Sequence, residues 1–314
     1  MEMEYRKLGQ TDLRPSVLSL GCNRLGTTDG DAAEAEATLL EAFECGVNFF
    51  DTADYYNHGD SERVLGKVFR GKRDRILICS KAGWTKGSLQ RPPPKAVPLV
   101  KRIVKRWSLS RKAVVWIRRQ FVSQNFDPDY IEKAIVGSLR RLETDYLDLF
   151  LIHSPTISTL LEDSLFDRLD ELRGRGMIRH YGVSFLDSVT SEELAIGLTR
   201  PGISALQIAI DIYHLPTIDN LKNKLGDTAI GVIGRAPFAR GALFHDDRGL
   251  AALAQCNLAA PAQAAIRLAV QVNPLGPVLI GMANRQHLRE NLRALALPPI
   301  SDENLESIAS LSQN

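Results

Sequence analysis

The sequence has no paired cysteine spacing. Cys22, Cys45, Cys79 and Cys256 lie far apart with no C-x-x-C, which argues against a zinc site or a redox dithiol and suits a reducing, cytoplasmic compartment. No G-x-G-x-x-G follows a strand-like run, so a doubly wound dinucleotide site is not expected. No apolar stretch approaches the about 20 residues of a membrane span, and the opening MEMEYRKLGQ has no signal-peptide core. Excess charge of either sign is lacking overall: 39 Lys and Arg against 37 Asp and Glu leave a formal net of +2, too small to call for nucleic acid. The sharpest absence is local. From Arg75 to Phe126 there is no Asp or Glu, while Lys and Arg abound.

What is present is a chain of 314 residues, 44% hydrophobic and 24% charged, which can fill the core of one barrel domain. Short apolar runs alternate with amphipathic stretches, the rhythm of βα units around a parallel sheet. The expected strands are Val17–Leu20, Val47–Phe50, Ile76–Ser80, Leu147–Ile152, Tyr181–Ser184, Ala205–Ile210, Ala229–Ile233 and Val278–Ile280. The expected helices are Ala32–Cys45, Ser61–Phe69, Pro128–Leu142, Leu160–Arg173, Ser188–Gly197, Thr217–Leu225, Pro261–Val270 and Gln286–Leu295. Asp31 and Asp127 stand where N-caps belong, and Pro128 at a first helical turn. Eight of each fits a (β/α)8 TIM barrel better than an open sheet. Two excursions, Ala82–Asn125 and Ala236–Ala260, break the rhythm after the third and seventh strands, on the barrel face where chemistry is found.

Three neighbouring strands run into chemistry-bearing residues: Asp51, Lys81 and His153. In a barrel these share one mouth. A buried Lys beside a buried Asp is costly unless the two pair. An ammonium near a phenol favours phenolate, so a tyrosine close to Lys81 is expected to have its pKa drawn down from about 10. Tyr55 and Tyr56, just after Asp51, are the candidates. Any one of these residues alone is as well explained by a structural ion pair or a satisfied histidine. Together they point to general acid–base work.

Over nearly its whole length the sequence resembles the aldo-keto reductases. EYRKLGQTDLRPSVLSLG is similar to the family's N-terminal β-hairpin and first strand. FDTADYYNHGDSERVLG resembles its Asp-x-x-x-x-Tyr signature, a spacing that selects Tyr56 over Tyr55, and SLRRLETDYLDLFLIHSP is a long match carrying His153. The resemblance implies a nicotinamide-dependent carbonyl reductase. Tyr56 would be its proton donor, Lys81 would tune the phenol, Asp51 would pair with Lys81, and His153 would orient the carbonyl. It also implies a cofactor site with Ser184 and Gln207 at the carboxamide and Arg235, Ala236, Phe238, Arg240 and Gly241 in the loop over the pyrophosphate. Asn284, His287, Glu290 and Asn291 would lie near the adenosine.

The sequence departs from the family in three places. Phe185 stands where an Asn follows the Ser, and Ile210 where an aromatic is expected, with Tyr213 nearby. His287 replaces an Arg or Gln near the 2′-phosphate. NADPH is the expected cofactor, NADH the alternative, with Arg285 and Arg289 as further phosphate contacts. No metal is expected.

In the basic insertion, PLVKRIVKRW sets Leu99, Val100, Ile103, Val104 and Trp107 at helical spacing among Lys101, Arg102, Lys105 and Arg106, a cationic amphipathic helix. A lid over the mouth is the first reading, with Trp84, Trp107 and Trp116 as candidate walls and Tyr55 and Phe185 lining the substrate pocket. A surface for anionic lipid or an acidic partner is the second, and nucleic acid ranks below both. The expected whole is one barrel domain over 1–314 with an insertion at 84–125. It would reduce an aldehyde, ketone or sugar-like carbonyl, or run the reverse oxidation. The alternatives are a cofactor-binding regulatory or scaffold subunit, and a pathway enzyme using the same tetrad for isomerisation.

Overall fold

The computed structural model describes residues 3–25, 32–86, 122–215, 221, 230–258, 260–282 and 284–311. Parallel strands close into a barrel in the order β1 (Leu18–Gly21), β10 (Val278–Gly281), β9 (Gly231–Arg235), β8 (Ile203–Ala209), β7 (Ile178–Ser184), β6 (Leu147–His153), β3 (Leu77–Ala82) and β2 (Phe49–Asp51). The (β/α)8 architecture is therefore the one the alternation implies. Strands buried on both faces read as continuous apolar runs, as in LDLFLIH, whose first six residues are all buried.

Alternate side chains divide the core in two. Phe49, Cys79, Leu149, Leu151, Ala205, Ile233 and Leu279 point into the barrel, where Leu8 and Leu13 join them. Those two leucines come from the N-terminal hairpin, held by Leu8 N donating to Leu13 O at 3.1 Å and Arg6 N donating to Pro15 O at 2.9 Å. The hairpin plugs the N-terminal end of the barrel. Gly231 is required there, since a Cβ would sit 2.4 Å from Leu8 Cδ1.

The outer residues of each strand face helices: α1 (Ala32–Glu44), α2 (Asp60–Val68), α3 (Pro128–Leu142), α4 (Asp163–Gly174), α5 (Ser191–Thr199), α6 (Asp247–Gln255), α7 (Pro261–Val272), α8 (Arg285–Leu292) and α9 (Asp302–Leu311). Asp127 caps α3 by accepting from the amides of Asp129 and Tyr130, as its position before Pro128 implies. Among the described residues no helix is long and apolar enough to cross a membrane.

Several boundaries shift for physical reasons. The expected helix Leu160–Arg173 is two, a single turn Ile157–Leu160 capped by Thr156 and then α4. The helix expected from Ser188 begins at Ser191, because Thr190 and Glu193 form a reciprocal capping box. β9 starts two residues late and runs on to Arg235, which pairs with Ala209 and Leu279. The excursion Ala236–Ala260 contains α6, whose cap Asp246 accepts from Arg248 N. The excursion after β3 opens and closes as a two-stranded antiparallel ribbon of β4 (Trp84–Lys86) and β5 (Val122–Gln124). Asp31, the helix expected at 217–225 apart from Leu221, and the cationic helix with Trp107 and Trp116 lie outside the described residues.

Candidate active site

Asp51, Lys81 and His153 end or nearly end adjacent strands, in register with Cys79, Leu151 and Ser184 respectively. Lys81 is 1% exposed and Asp51 5%. The amine donates to both carboxylate oxygens of Asp51 at 2.6 Å and to Thr52 O at 2.7 Å. All three ammonium protons thus have acceptors, which is what makes a buried charge tolerable. Burial pulls the Lys81 pKa down, but Asp51, Tyr56 and Cys79 together hold it above its ordinary value.

Tyr56 starts the turn after β2, where its amide bonds Ala53 O and the next residues, Asn57 and His58, take left-handed backbone. Asn57 Nδ2 ties the turn to Leu25 O at 2.8 Å. The turn brings the Tyr56 ring under the amine, with Lys81 Nζ 5.2 Å from the ring centroid. It also sets the ring edge-on to His153 at 6.0 Å. Tyr55 is half-buried on the same turn. The phenol's acidity departs from the expectation. Burial raises the Tyr56 pKa more than the Lys81 charge lowers it, and Asp51 adds to the rise, so the group lies above its ordinary value. The ammonium's effect is opposed first by burial and then by the Asp51 carboxylate beside it.

His153 lies between two aromatics, Tyr56 on one side and Trp84 at 6.3 Å on the other. Trp84 is carried there by the ribbon, which Gln124 fastens to Ser154 O at 2.7 Å. Gly83 makes the approach feasible: its φ is +131°, and a Cβ would meet the Phe126 ring at 2.3 Å. Burial, then Lys81, Arg235 and Arg240, push the His153 pKa well below its usual value. The imidazole is neutral. Its Nδ1 is buried with no hydrogen-bond partner. A stranded N–H there would cost more than a bare lone pair, so the proton belongs on Nε2, ready to donate.

Ser184 Oγ donates to Gln207 Oε1 at 2.7 Å, and Gln207 Nε2 donates to Asp51 Oδ1 at 2.9 Å. These two buried polar side chains are wired directly to the ion pair. Phe185 does not stand where the pocket expectation puts it. Ser184 points into the mouth, so the next residue points out, and Phe185 is 2% exposed in the outer core against Gly197 and Leu206. It does not line the pocket. Ile210 is likewise buried, and the Tyr213 hydroxyl is committed to Asp246 Oδ2 at 2.6 Å.

Ala236, Ala239, Arg240 and Gly241 all adopt left-handed backbone, curling the loop after β9. Phe238 within it stacks on Phe244 at 5.5 Å. Arg235 donates to Asp187 Oδ1 and to Phe185 O, and Arg240 reaches Asp187 Oδ2 at 2.6 Å. At α8, Asn284 caps by accepting from His287 N at 2.8 Å, and Glu290 accepts from His287 and Gln286. Asn291 is buried. Arg285 and Arg289 are held by Glu34 and Glu41 of α1.

Three features around these residues escape the sequence. The first is the Ser184–Gln207–Asp51 link, which joins residues 156 positions apart. The second is Asp187, in the stretch FLDSVT, which has no basic residue of its own to signal a bridge to Arg235 and Arg240. The third is Asp54, whose carboxyl is pushed up to about 7 by burial and then by Glu62. Its Oδ1 is buried with no hydrogen-bond partner. Glu62 is itself fully buried, accepting from Ser80 Oγ and Arg141 Nε at 2.6 Å each.

The chain matches the profile of the Aldo/keto reductase family over residues 17–313. It is 30% identical over 243 residues to the uncharacterized oxidoreductase YqkF of Bacillus subtilis, a match covering 77% of this chain and 67% of that one. It is 25% identical over 322 residues to the L-galactose dehydrogenase of Arabidopsis thaliana, covering 94% and 88%. Among solved structures it is similar to the holo form of aldo-keto reductase AKR11C1 from Bacillus halodurans, with a TM-score of 0.73, 25% identity, and coverage of 98% and 96%.

Proposed function

This chain belongs to the aldo/keto reductase family, and from that premise we propose that it reduces an aldehyde, ketone or sugar-like carbonyl with NADPH, or runs the reverse oxidation, using Tyr56 as proton donor. The observation that carries the reading is the buried Asp51–Lys81 pair against the Tyr56 ring, beside a neutral His153. A nicotinamide dinucleotide suits the mouth on two grounds. Ser184 and Gln207 offer a buried amide-recognising pair, and the left-handed run in the loop after β9 curls backbone into the kind of cradle that takes phosphate. When bound, the cofactor supplies the hydride.

The chain's residues supply the rest. The Nε2–H of His153 donates to the carbonyl oxygen and orients it, which matters most as negative charge develops there. The Tyr56 phenol delivers the proton to that oxygen. Its raised pKa keeps it protonated at neutral pH, as a donor must be. Lys81 meets the phenolate left behind, and Asp51 keeps Lys81 charged and placed. Trp84 packs edge-on against the His153 ring at 6.3 Å and helps to fix it.

The NADPH preference rests on Arg285 and Arg289, exposed beside the Asn284 cap. Their carboxylate partners on α1 compete with a 2′-phosphate, so the discrimination against NADH is modest. The substrate class is an aldehyde, ketone or sugar-like carbonyl, and a sugar is what the Arabidopsis relative's name specifies. A reducing, cytoplasmic setting agrees with the free cysteines Cys22, Cys45, Cys79 and Cys256. The test is quenching of tryptophan fluorescence by NADPH and by NADH, followed by cofactor oxidation across an aldehyde and ketone panel. Binding without turnover on any carbonyl would replace the enzyme by a cofactor-binding scaffold.

A further inference from the structure

The mouth carries a charge that the proton-transfer residues do not use. Lys81 and Asp51 cancel, and His153 is neutral. Opposite them, Arg235 and Arg240 share a single carboxylate, Asp187. Two guanidinium groups against one carboxylate leave a net positive charge. It is felt in the site: Arg235 lowers the pKa of Tyr56, and both arginines lower that of His153. The neighbouring charges Asp211 and His214 pair with one another at 2.8 Å. His214 also senses Asp187 and Arg235.

The three members differ in how firmly they are held. Arg235 is mostly buried and has a second acceptor, Phe185 O at 2.6 Å. It therefore keeps its place without Asp187. Arg240 is largely exposed, on left-handed backbone. Asp187 is one-third exposed, in the stretch between β7 and α5, next to the exposed Leu186. Solvent reaches the carboxylate, which both guanidinium groups hold between a fixed Arg235 and a freer Arg240.

We propose that Asp187 is a resident counter-anion, exchanged for a phosphate or carboxylate group when a ligand enters, so that Arg235 and Arg240 grip the ligand's oxyanion instead. The guanidinium fork is matched to that geometry in either case. Asp187 then competes with the ligand, weakening its binding and preventing the two arginines from repelling one another in its absence. The inference rests on the nicotinamide-site reading only for the identity of one candidate anion.

The primary measurement is binding, by tryptophan fluorescence or calorimetry, and needs no turnover. Inorganic pyrophosphate and NADPH are titrated into the wild-type protein, Asp187→Asn, Asp187→Ser, Arg240→Gln and the double variant D187N/R240Q. Thermal melts establish that each is folded. Both Asp187 variants are expected to bind pyrophosphate about 3- to 10-fold more tightly than wild type at low salt, with the gain shrinking as salt rises. R240Q should bind more weakly and abolish the gain in the double variant. A gain seen also with NADPH assigns the anion to the cofactor. A lower KM for a 2-oxo carboxylate but not for a neutral aldehyde, at saturating cofactor, assigns it to the substrate. Asp187 variants that bind both probes as wild type does, or more weakly, would show that Asp187 merely organises the arginines. That result overturns the exchange and leaves the reductase reading intact. A protein that shows the gain yet never oxidises NADPH would do the reverse.

Discussion

Replacing one member of the Asp51–Lys81 pair should unbalance the barrel mouth far more than replacing both. The two side chains are 7% and 1% exposed, and Lys81 has no acceptors beyond Asp51 and Thr52 O among the hydrogen bonds described. Asp51→Asn leaves an ammonium buried without a counter-charge. Lys81→Met leaves a carboxylate held only by neutral donors, the Gln207 amide and the Cys79 thiol among them. Removing one partner of a buried pair costs about 3–5 kcal/mol, because the other charge stays desolvated and alone. In the double variant D51N/K81M both sites are neutral, and the side-chain carbonyl introduced at position 51 still accepts from Gln207. Its cost should be about 1–2 kcal/mol, that of a reshuffled polar contact. The coupling is therefore at least about 4 kcal/mol, with the double variant more stable than either single one. Urea unfolding followed by tryptophan fluorescence and circular dichroism at pH 7 measures all four corners. Because the folded Lys81 pKa lies above its unfolded value, its contribution is intact below about pH 10 and fades only as pH climbs through the folded value. Costs that add within about 0.5 kcal/mol would refute the reasoning.

Three further outcomes are expected. With Tyr56 as the donor, reduction needs the protonated phenol, and burial raises the Tyr56 pKa above its ordinary value; the rate of carbonyl reduction should therefore hold through the ordinary tyrosine range of about 10 before falling, whereas a Lys-depressed tyrosine would give a fall below that range. Asp54 is pushed up to about 7, so its contribution is full below the unfolded pKa of about 4 and lost as pH rises through 7; Asp54→Asn should gain about 1 kcal/mol or more at pH 8 and little at pH 4, read from urea midpoints. Replacing Glu34 and Glu41 by Gln frees Arg285 and Arg289, and the NADPH-over-NADH preference in fluorescence titrations should rise about two- to fivefold; an unchanged ratio would place the 2′-phosphate elsewhere.

Much of the site is legible in the sequence because a barrel puts the ends of parallel strands at one mouth, so Asp51, Lys81 and His153 can be grouped from their positions alone. The signature spacing carries the choice of Tyr56 over Tyr55, and the ring contacts with Lys81 and His153 are what that spacing implies. Phe185 does not line the pocket, and period-two alternation contains the reason: with Ser184 inward, its neighbour must face α5. The Gln207–Asp51 bond and the Asp187 bridge join residues far apart in sequence, which no local pattern encodes. The direction of the Tyr56 shift depends on how deeply the ring is buried and on Asp51 sitting against Lys81. Both are properties of packing. Helix α6 is hidden because the glycines of ARGAL and DDRGL read as loop, while the Asp246 cap fixes a helix start within it.

The central claim is that the phenol of Tyr56 carries the transferred proton. Tyr56→Phe keeps the ring against His153 and removes one hydroxyl, so NADPH should quench its fluorescence with an affinity close to that of wild type. Carbonyl-dependent NADPH oxidation should fall by about 10²- to 10⁴-fold, the usual worth of a positioned acid. A Tyr56→Phe protein that turns over at the wild-type rate would contradict the account.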